Sequence, residues 1–184
     1  RVEQLRQRHL EMASALLGDA TGGAPTGGGG RDDVRDDHAV LTANINQQFE
    51  ALVAVVKTLP VLREVSDSTL DVIAAVGEAL SSRIVAAALV HAGLPGEWVD
   101  ARRVIVTDGN HTRATPLMHE TTAALRASVL ALVDAGRIPV LGGFVGATVE
   151  GQTTTLGRGG SDYSGAIVGA GIGASEIQVW TDVD

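Results

Sequence analysis

At about residue 96 the chain changes its apolar rhythm, and that change narrows the folds open to it. Before this point every patterned stretch repeats on a helical period. Leu5, His9, Met12 and Leu16 predict an amphipathic helix over residues 2–17, closed by Gly18. Val34, Leu41, Ile45, Phe49, Leu52, Val56 and Leu59 predict a second, longer helix up to Pro60, where the missing amide hydrogen ends it. A third carries Leu70, Ile73, Val76, Leu80 and Ile84 on one face, with Ser68 and Asp71 as its N-terminal cap pair and Gly93 and Pro95 as its stop. After residue 96, short β-branched runs alternate with helices. Residues 97–99, 104–107, 138–144 and 176–181 read as strands, and 117–135 and 162–172 as helices. Such alternation implies an α/β fold with a largely parallel sheet covered on both faces. The expected organisation is one domain, with a helical region over residues 1–65 leading into an α/β core over 66–184.

Between the first two helices, residues 21–30 are Gly-rich without apolar periodicity. They read as a flexible connection and not as a phosphate loop, because no Lys-Ser or Lys-Thr follows and Asp32 and Asp33 would repel phosphate. The formal charge of -8 leaves no basic face to release counterions from a polyanion, so nucleic acid is not an expected partner. The five aromatics, Phe49, Trp98, Phe144, Tyr163 and Trp180, are too scattered to stack bases. The absence of cysteine removes disulfides, thiolate metal sites and a cysteine nucleophile, and fits a cytoplasmic location. The longest wholly apolar run, 84–90, is shorter than the ~20 residues of a membrane helix, so no membrane partner is expected either. His111 and His119 are separated by Pro116, and His9, His38 and His91 fall in separate helices, so no histidine metal site or nucleophile triad is expected.

The chemistry concentrates in residues 151–184. Gly157, Gly159 and Gly160 allow close approach of a ligand to the backbone, just where a helix beginning near Ser161 would aim its free N–H groups and positive dipole end. Arg158 offers a forked donor to a carboxylate or phosphate, and Ser161 either caps the helix or donates to the ligand. The plainer alternative is a tight turn, a capped helix and a solvated arginine.

The run Thr153-Thr154-Thr155-Leu156-Gly157-Arg158-Gly159-Gly160-Ser161-Asp162-Tyr163-Ser164, followed by Trp180-Thr181-Asp182-Val183-Asp184, resembles the aspartate kinases of the amino-acid kinase family. The resemblance extends through Gly142-Gly143-Phe144-Val145-Gly146, Trp98-Val99-Asp100-Ala101-Arg102, Val106-Thr107-Asp108 and Val76-Gly77-Glu78-Ala79-Leu80-Ser81-Ser82, so it covers residues 66–184. It implies a three-layer α/β/α fold of the amino-acid kinase type, and transfer of the γ-phosphoryl group of ATP, with Mg²⁺, to the side-chain carboxylate of aspartate. That reaction opens lysine, threonine and methionine synthesis. By the same resemblance Glu78 would hold the substrate amino group, Phe144 would line the pocket, and Arg158, Gly159, Gly160 and Ser161 would bind the substrate carboxylate. Asp162 would organise catalytic lysines, and Thr181 and Asp182 would face the nucleotide. Each has an ordinary alternative: a solvent-facing acid for Glu78, a core residue for Phe144, a first-turn acid for Asp162 and a turn former for Asp182.

The chain departs from that family in its cations. The family's Lys-Phe-Gly-Gly-Thr-Ser segment and its second lysine beyond the Thr-Asp-Val-Asp strand have no counterpart, and the single lysine, Lys57, sits near the end of a helical stripe. With Arg1 opening the chain inside a helical pattern, the expectation is an internal piece of a catalytic domain, incomplete at both ends and belonging to a homo-oligomeric enzyme. The rival readings are another family kinase, such as one acting on acetylglutamate, and a non-catalytic ligand-binding module.

Overall fold

The computed structural model describes residues 1–18, 31–62 and 64–180. The Gly-rich connection read at 21–30 lies outside the described residues, as do Thr181 and Asp182.

Three helices come first. They are α1 (Val2–Leu17), α2 (Arg31–Leu62) and α3 (Asp67–His91). Their apolar stripes meet in one core of Ala13, Leu17, Leu41, Ile45, Phe49, Leu52, Leu80 and Ile84, with Ile45 and Leu80 wholly buried. The helical period located the buried face of α2, but on α1 the stripe read as apolar face is wrong: Leu5, Met12 and Leu16 are exposed, and Ala13 and Leu17 enter the core with Val2 and Leu10 packed against it. Further corrections concern α2 and α3. Pro60 does not end α2, which runs on to Leu62; a proline within the last turn forfeits only one hydrogen bond. The cap of α3 is Ser66, whose Oγ accepts from the Thr69 amide at 3.2 Å, and not the Ser68–Asp71 pair. Leu70, read as part of the apolar face, is 46% exposed, while Asp71 is buried at 1%.

The α/β half follows as β1 (Gly96–Val99), β2 (Val106–Thr107), α4 (Met118–Leu125), a π-helical turn (Arg126–Leu130), α5 (Ala131–Asp134), β3 (Ile138–Leu141), β4 (Val145–Thr148), β5 (Thr153–Thr155) and α6 (Gly160–Ile172). β1 pairs with β3 in parallel, with Gly96 opposite Ile138 and Val99 opposite Leu141. β2 pairs in parallel with β4, and β4 pairs antiparallel with β5. One face of the strands meets α3; the other meets a second core, in which Val104, Ile105, Leu125, Val129, Leu156 and Ile167 join the strands to α4, the π-helical turn and α6. The result is a three-layer arrangement with mainly parallel pairing, distributed among the described residues over two short sheets.

α3 is long and apolar enough to cross a membrane, with a mean hydropathy of 1.7 over its best 18-residue window. In the fold that apolar surface meets both layers: α1 and α2 on one side, β1, β3 and β5 on the other.

Four strand expectations change. The run 104–107 shortens to Val106–Thr107, because Val104 closes the preceding 3₁₀ turn. The run 138–144 breaks after Leu141, because Gly142 and Gly143 lead into Phe144 at φ +68°, a left-handed conformation in which a strand cannot continue. Thr153–Thr155, not among the segments read as strands, forms β5. Residues 176–180 form no strand; Val179 and Trp180 are 60% and 87% exposed, and a lone extended segment without a hydrogen-bonding neighbour does not make a ladder.

Ser66→Ala should therefore destabilise the protein by about 1 kcal/mol, the ordinary cost of a lost N-cap. Ser68→Ala should stay within about 0.5 kcal/mol of wild type. Urea unfolding of the two variants checks the placement of the cap, and equal losses would reject it.

Candidate active site

In a largely parallel sheet, ligands collect beyond the carboxyl ends of the strands. Here those ends belong to β1 and β3. β1 runs out into Asp100 and the short 3₁₀ turn Ala101–Arg103; β3 runs out into Gly142, Gly143 and Phe144. A cleft opens there, lined by Ala75, Glu78, Ala79 and Ser82 of α3, Trp98 of β1 with Asp100, Ala101 and Arg102 beyond it, and Gly142 and Val145 beyond β3.

Glu78 is half-buried in this cleft, and its carboxyl has no hydrogen-bond partner among the described residues. Burial pushes its pKa up, with no cation to oppose the shift. The nearby cations are otherwise engaged. Arg102 grips Asp100 with Nη2 2.6 Å from Oδ2 and Nε 2.9 Å from Oδ1. Burial would raise the Asp100 pKa, yet the hydrogen bonds and charge of Arg102 outweigh it and hold that carboxyl below the ordinary range. Arg83 lies over the Trp98 ring, 3.4 Å from its centroid, and the Trp98 indole donates to Ser82 Oγ at 3.0 Å. Glu78 is thus a desolvated acid facing open space, which suits an incoming ammonium group.

The Gly142–Phe144 loop separates Glu78 from the start of α6. A methyl group on Gly142 would sit 2.9 Å from the Glu78 carbonyl oxygen, and one on Gly143 would sit 3.0 Å from Ser161 Cα. Glycine is required at both, because the loop is pressed between two backbones. Phe144 is partly buried in its left-handed conformation; its amide donates to Ser164 Oγ at 2.8 Å and its carbonyl accepts from Leu156 N at 2.9 Å. Gly160 packs on the Phe144 ring, where a methyl would meet Cδ2 at 2.9 Å.

The structure therefore brings Glu78, Phe144, Gly160 and Ser161 together around one loop. α6 is capped by Gly159 at φ +74°, with no side-chain cap, so Ser161 lies exposed in the first helical turn instead of capping it. Arg158 and Asp162 are exposed beside that helix start with no hydrogen-bond partner among the described residues, and neither lines the cleft at Glu78. Thr181 and Asp182 lie outside the described residues. Among the described residues no three His, Asp or Glu side chains converge to hold a metal ion.

The sequence profile of the amino acid kinase family matches residues 20–184. The chain belongs to the amino acid kinase family. It is 35% identical over 156 residues to an aspartate kinase of Stutzerimonas stutzeri, covering 83% of this chain and 35% of that protein. Lysine-sensitive aspartokinase 3 of Escherichia coli is 31% identical over 150 residues, with 82% of this chain and 31% of that protein covered. The crystal structure of E. coli aspartokinase III in complex with aspartate and ADP matches with a TM-score of 0.75 and 26% identity, covering 95% of this chain and 40% of that one. The chain thus spans about a third of the length of the relatives it matches.

Within this family fold, the residues missed from sequence chemistry alone are Trp98, Asp100 and Arg102. No spacing rule joins α3 to the end of β1; only the parallel pairing of β1 with β3 carries Trp98 and Asp100 to the edge of Glu78.

The raised Glu78 pKa has a sign that can be measured. A carboxyl harder to ionise in the folded than in the unfolded chain lowers stability above its folded pKa, and the penalty shrinks as pH falls and disappears below the ordinary value of 4.5, where both states are protonated. In ligand-free protein Glu78→Gln should raise the Tm at about pH 8, and the gain should vanish below the ordinary carboxyl pKa. Thermal melts across pH check it; a Gln variant no more stable than wild type at the upper pH would mean a fully solvated Glu78.

Proposed function

We propose that the protein carrying this chain is an aspartate kinase, transferring the γ-phosphoryl group of ATP to the side-chain carboxylate of L-aspartate to give 4-phospho-L-aspartate. One observation carries the reading: an unpaired, desolvated Glu78 and the N-terminal turn of α6 flank the same Gly142–Phe144 loop. A group seeking a cation and a helix end seeking an anion, set on two sides of one loop, suit a zwitterionic amino acid. The aspartate bound in the matching E. coli structure supports the choice of amino acid.

In this reading Glu78 accepts hydrogen bonds from the substrate ammonium group. Arg158, with Gly159, Gly160 and Ser161, receives a substrate carboxylate through the guanidinium fork and the free amides of the first turn of α6. Phe144, locked at its own amide and carbonyl, walls the pocket. Asp162 lies one residue further along α6, where it would orient a cation that approaches the phosphates. Thr181 and Asp182 would face ATP. Mg²⁺, bound with the nucleotide, supplies neutralising charge on the phosphate oxygens. The described residues do not cage it. A kinase acting on an N-acetylated amino acid is disfavoured, because its substrate has no ammonium to meet Glu78.

Arg158→Lys in the full-length protein tests the carboxylate grip, because lysine keeps the charge and loses the fork. Losing one charge-assisted hydrogen bond costs about 1.5–3 kcal/mol, so kcat/KM for aspartate should fall roughly tenfold to a few hundredfold, with the KM for ATP little changed. A coupled ADP-release assay with aspartate varied reads both. A lysine variant within about twofold of wild type would take Arg158 out of the substrate site.

A further inference from the structure

Asp71 plays no part in the chemistry set out above, yet it is a carboxyl on α3 with 1% of its surface exposed. Burying such a group is costly unless donors surround it. Three do, all distant in sequence: the Thr155 hydroxyl donates to Oδ1 at 2.5 Å, the Thr112 amide reaches Oδ1 at 3.1 Å and Oδ2 at 3.0 Å, and His111 Nδ1 lies 2.8 Å from Oδ2. Both carboxyl oxygens are met by donors, so the site calls for a group that only accepts.

Both partner segments lead to the Arg158 turn. Thr155 ends β5, three residues before Arg158. Thr112 holds a left-handed backbone at φ +66°, uncommon for a β-branched residue, and its carbonyl oxygen backs onto Gly157, where a methyl would sit 3.1 Å away. The Ala114 amide closes the same contact by donating to Thr155 O at 2.9 Å. Asp71 and Glu78 are seven residues apart on α3, so they share a face about 10 Å apart along the axis. One carboxyl on that face is saturated and grips the segment that carries Arg158; the other is unpaired and faces the cleft.

We propose that Asp71 is a positioning residue of the substrate site, fixing the Arg158 turn relative to Glu78 through Thr155 and Thr112. The inference rests on the aspartate kinase reading for its kinetic consequence. Its geometric part stands on the hydrogen bonds alone.

Asp71→Asn keeps the shape but sets an NH₂ group against at least one of three donors. In the full-length protein it should lower kcat/KM for aspartate by roughly tenfold or more while the KM for ATP stays within about twofold. Because Asp71 acts through the Arg158 turn, Asp71→Asn should add little to the loss already caused by Arg158→Ala. Additive losses, or equal losses toward both substrates, would overturn the proposal. Thr155→Val and Thr155→Ser guard against a variant that fails to fold: Val should give the same pattern in weaker form, and Ser should restore wild-type kinetics. Should the wild type transfer no phosphoryl group to aspartate, the functional reading falls, and amide hydrogen exchange on the same proteins decides for Asp71. Faster exchange at Thr112 and across residues 156–160, with the α2 core unchanged, supports it; unchanged exchange at those amides refutes it.

Discussion

Glycines at 96 and 142 let the two ends of the β1–β3 layer approach α3 closely, and the cleft exists because of that approach. A methyl on Gly96 would lie 2.8 Å from Leu89 Cβ, and one on Gly142 would lie 2.9 Å from the Glu78 carbonyl oxygen. Neither contact tolerates a larger residue without displacing α3, since both run into backbone or the root of a side chain. With the strands drawn in, the Glu78 carbonyl accepts from Ser82 Oγ at 2.8 Å, and Ser82 in turn accepts from Trp98. Trp98 then supports Arg83 above its ring. The position of an acid on one helix is thereby linked, contact by contact, to the wall supplied by β1.

The legibility of the fold followed burial geometry. A helix that buries one large apolar stripe, such as α2, declares a 3.6-residue period in its sequence; α1 misleads because small Ala13 faces the core while Leu5, Met12 and Leu16 are exposed. β4 declares nothing, because all four of its residues are buried and two are Gly146 and Ala147, which carry no alternation. β5 hides for the opposite reason: its residues are threonines, polar by composition, yet Thr154 is wholly buried with its hydroxyl 2.7 Å from that of Thr107. Asp71 deceived because an acid near a helix start usually serves the helix dipole. The donors that hold it arrive from Thr112 and Thr155, which no local pattern relates to α3. Motif residues fared better where chain neighbours carry the geometry, as in the Gly157–Ser161 turn. The convergence of that turn with Glu78 needed the tertiary fold.

The charges divide the chemistry. Phosphoryl transfer calls for cations on the moving phosphoryl group, and the one lysine of the chain, Lys57, is exposed on α2 among the core-forming helices. Around the loop between α3, β3 and α6 stand one carboxyl and one guanidinium without a partner among the described residues, and one helix start, which in the proposed reading form a grip for the acceptor.

That grip is rigid at its centre. Phe144 is held in a conformation costing about 1–3 kcal/mol for a non-glycine residue, which persists only if its surroundings over-determine it. Here both of its backbone groups are fixed, the amide by Ser164 and the carbonyl by Leu156. Ser164 also donates to Gly160 O at 2.8 Å, so one buried hydroxyl ties the strained loop to the first turn of α6. A loop that relaxed would move Phe144 and the helix start together. Both elements are therefore fixed in the ligand-free chain, and a ligand that meets them need not spend binding energy on assembling them.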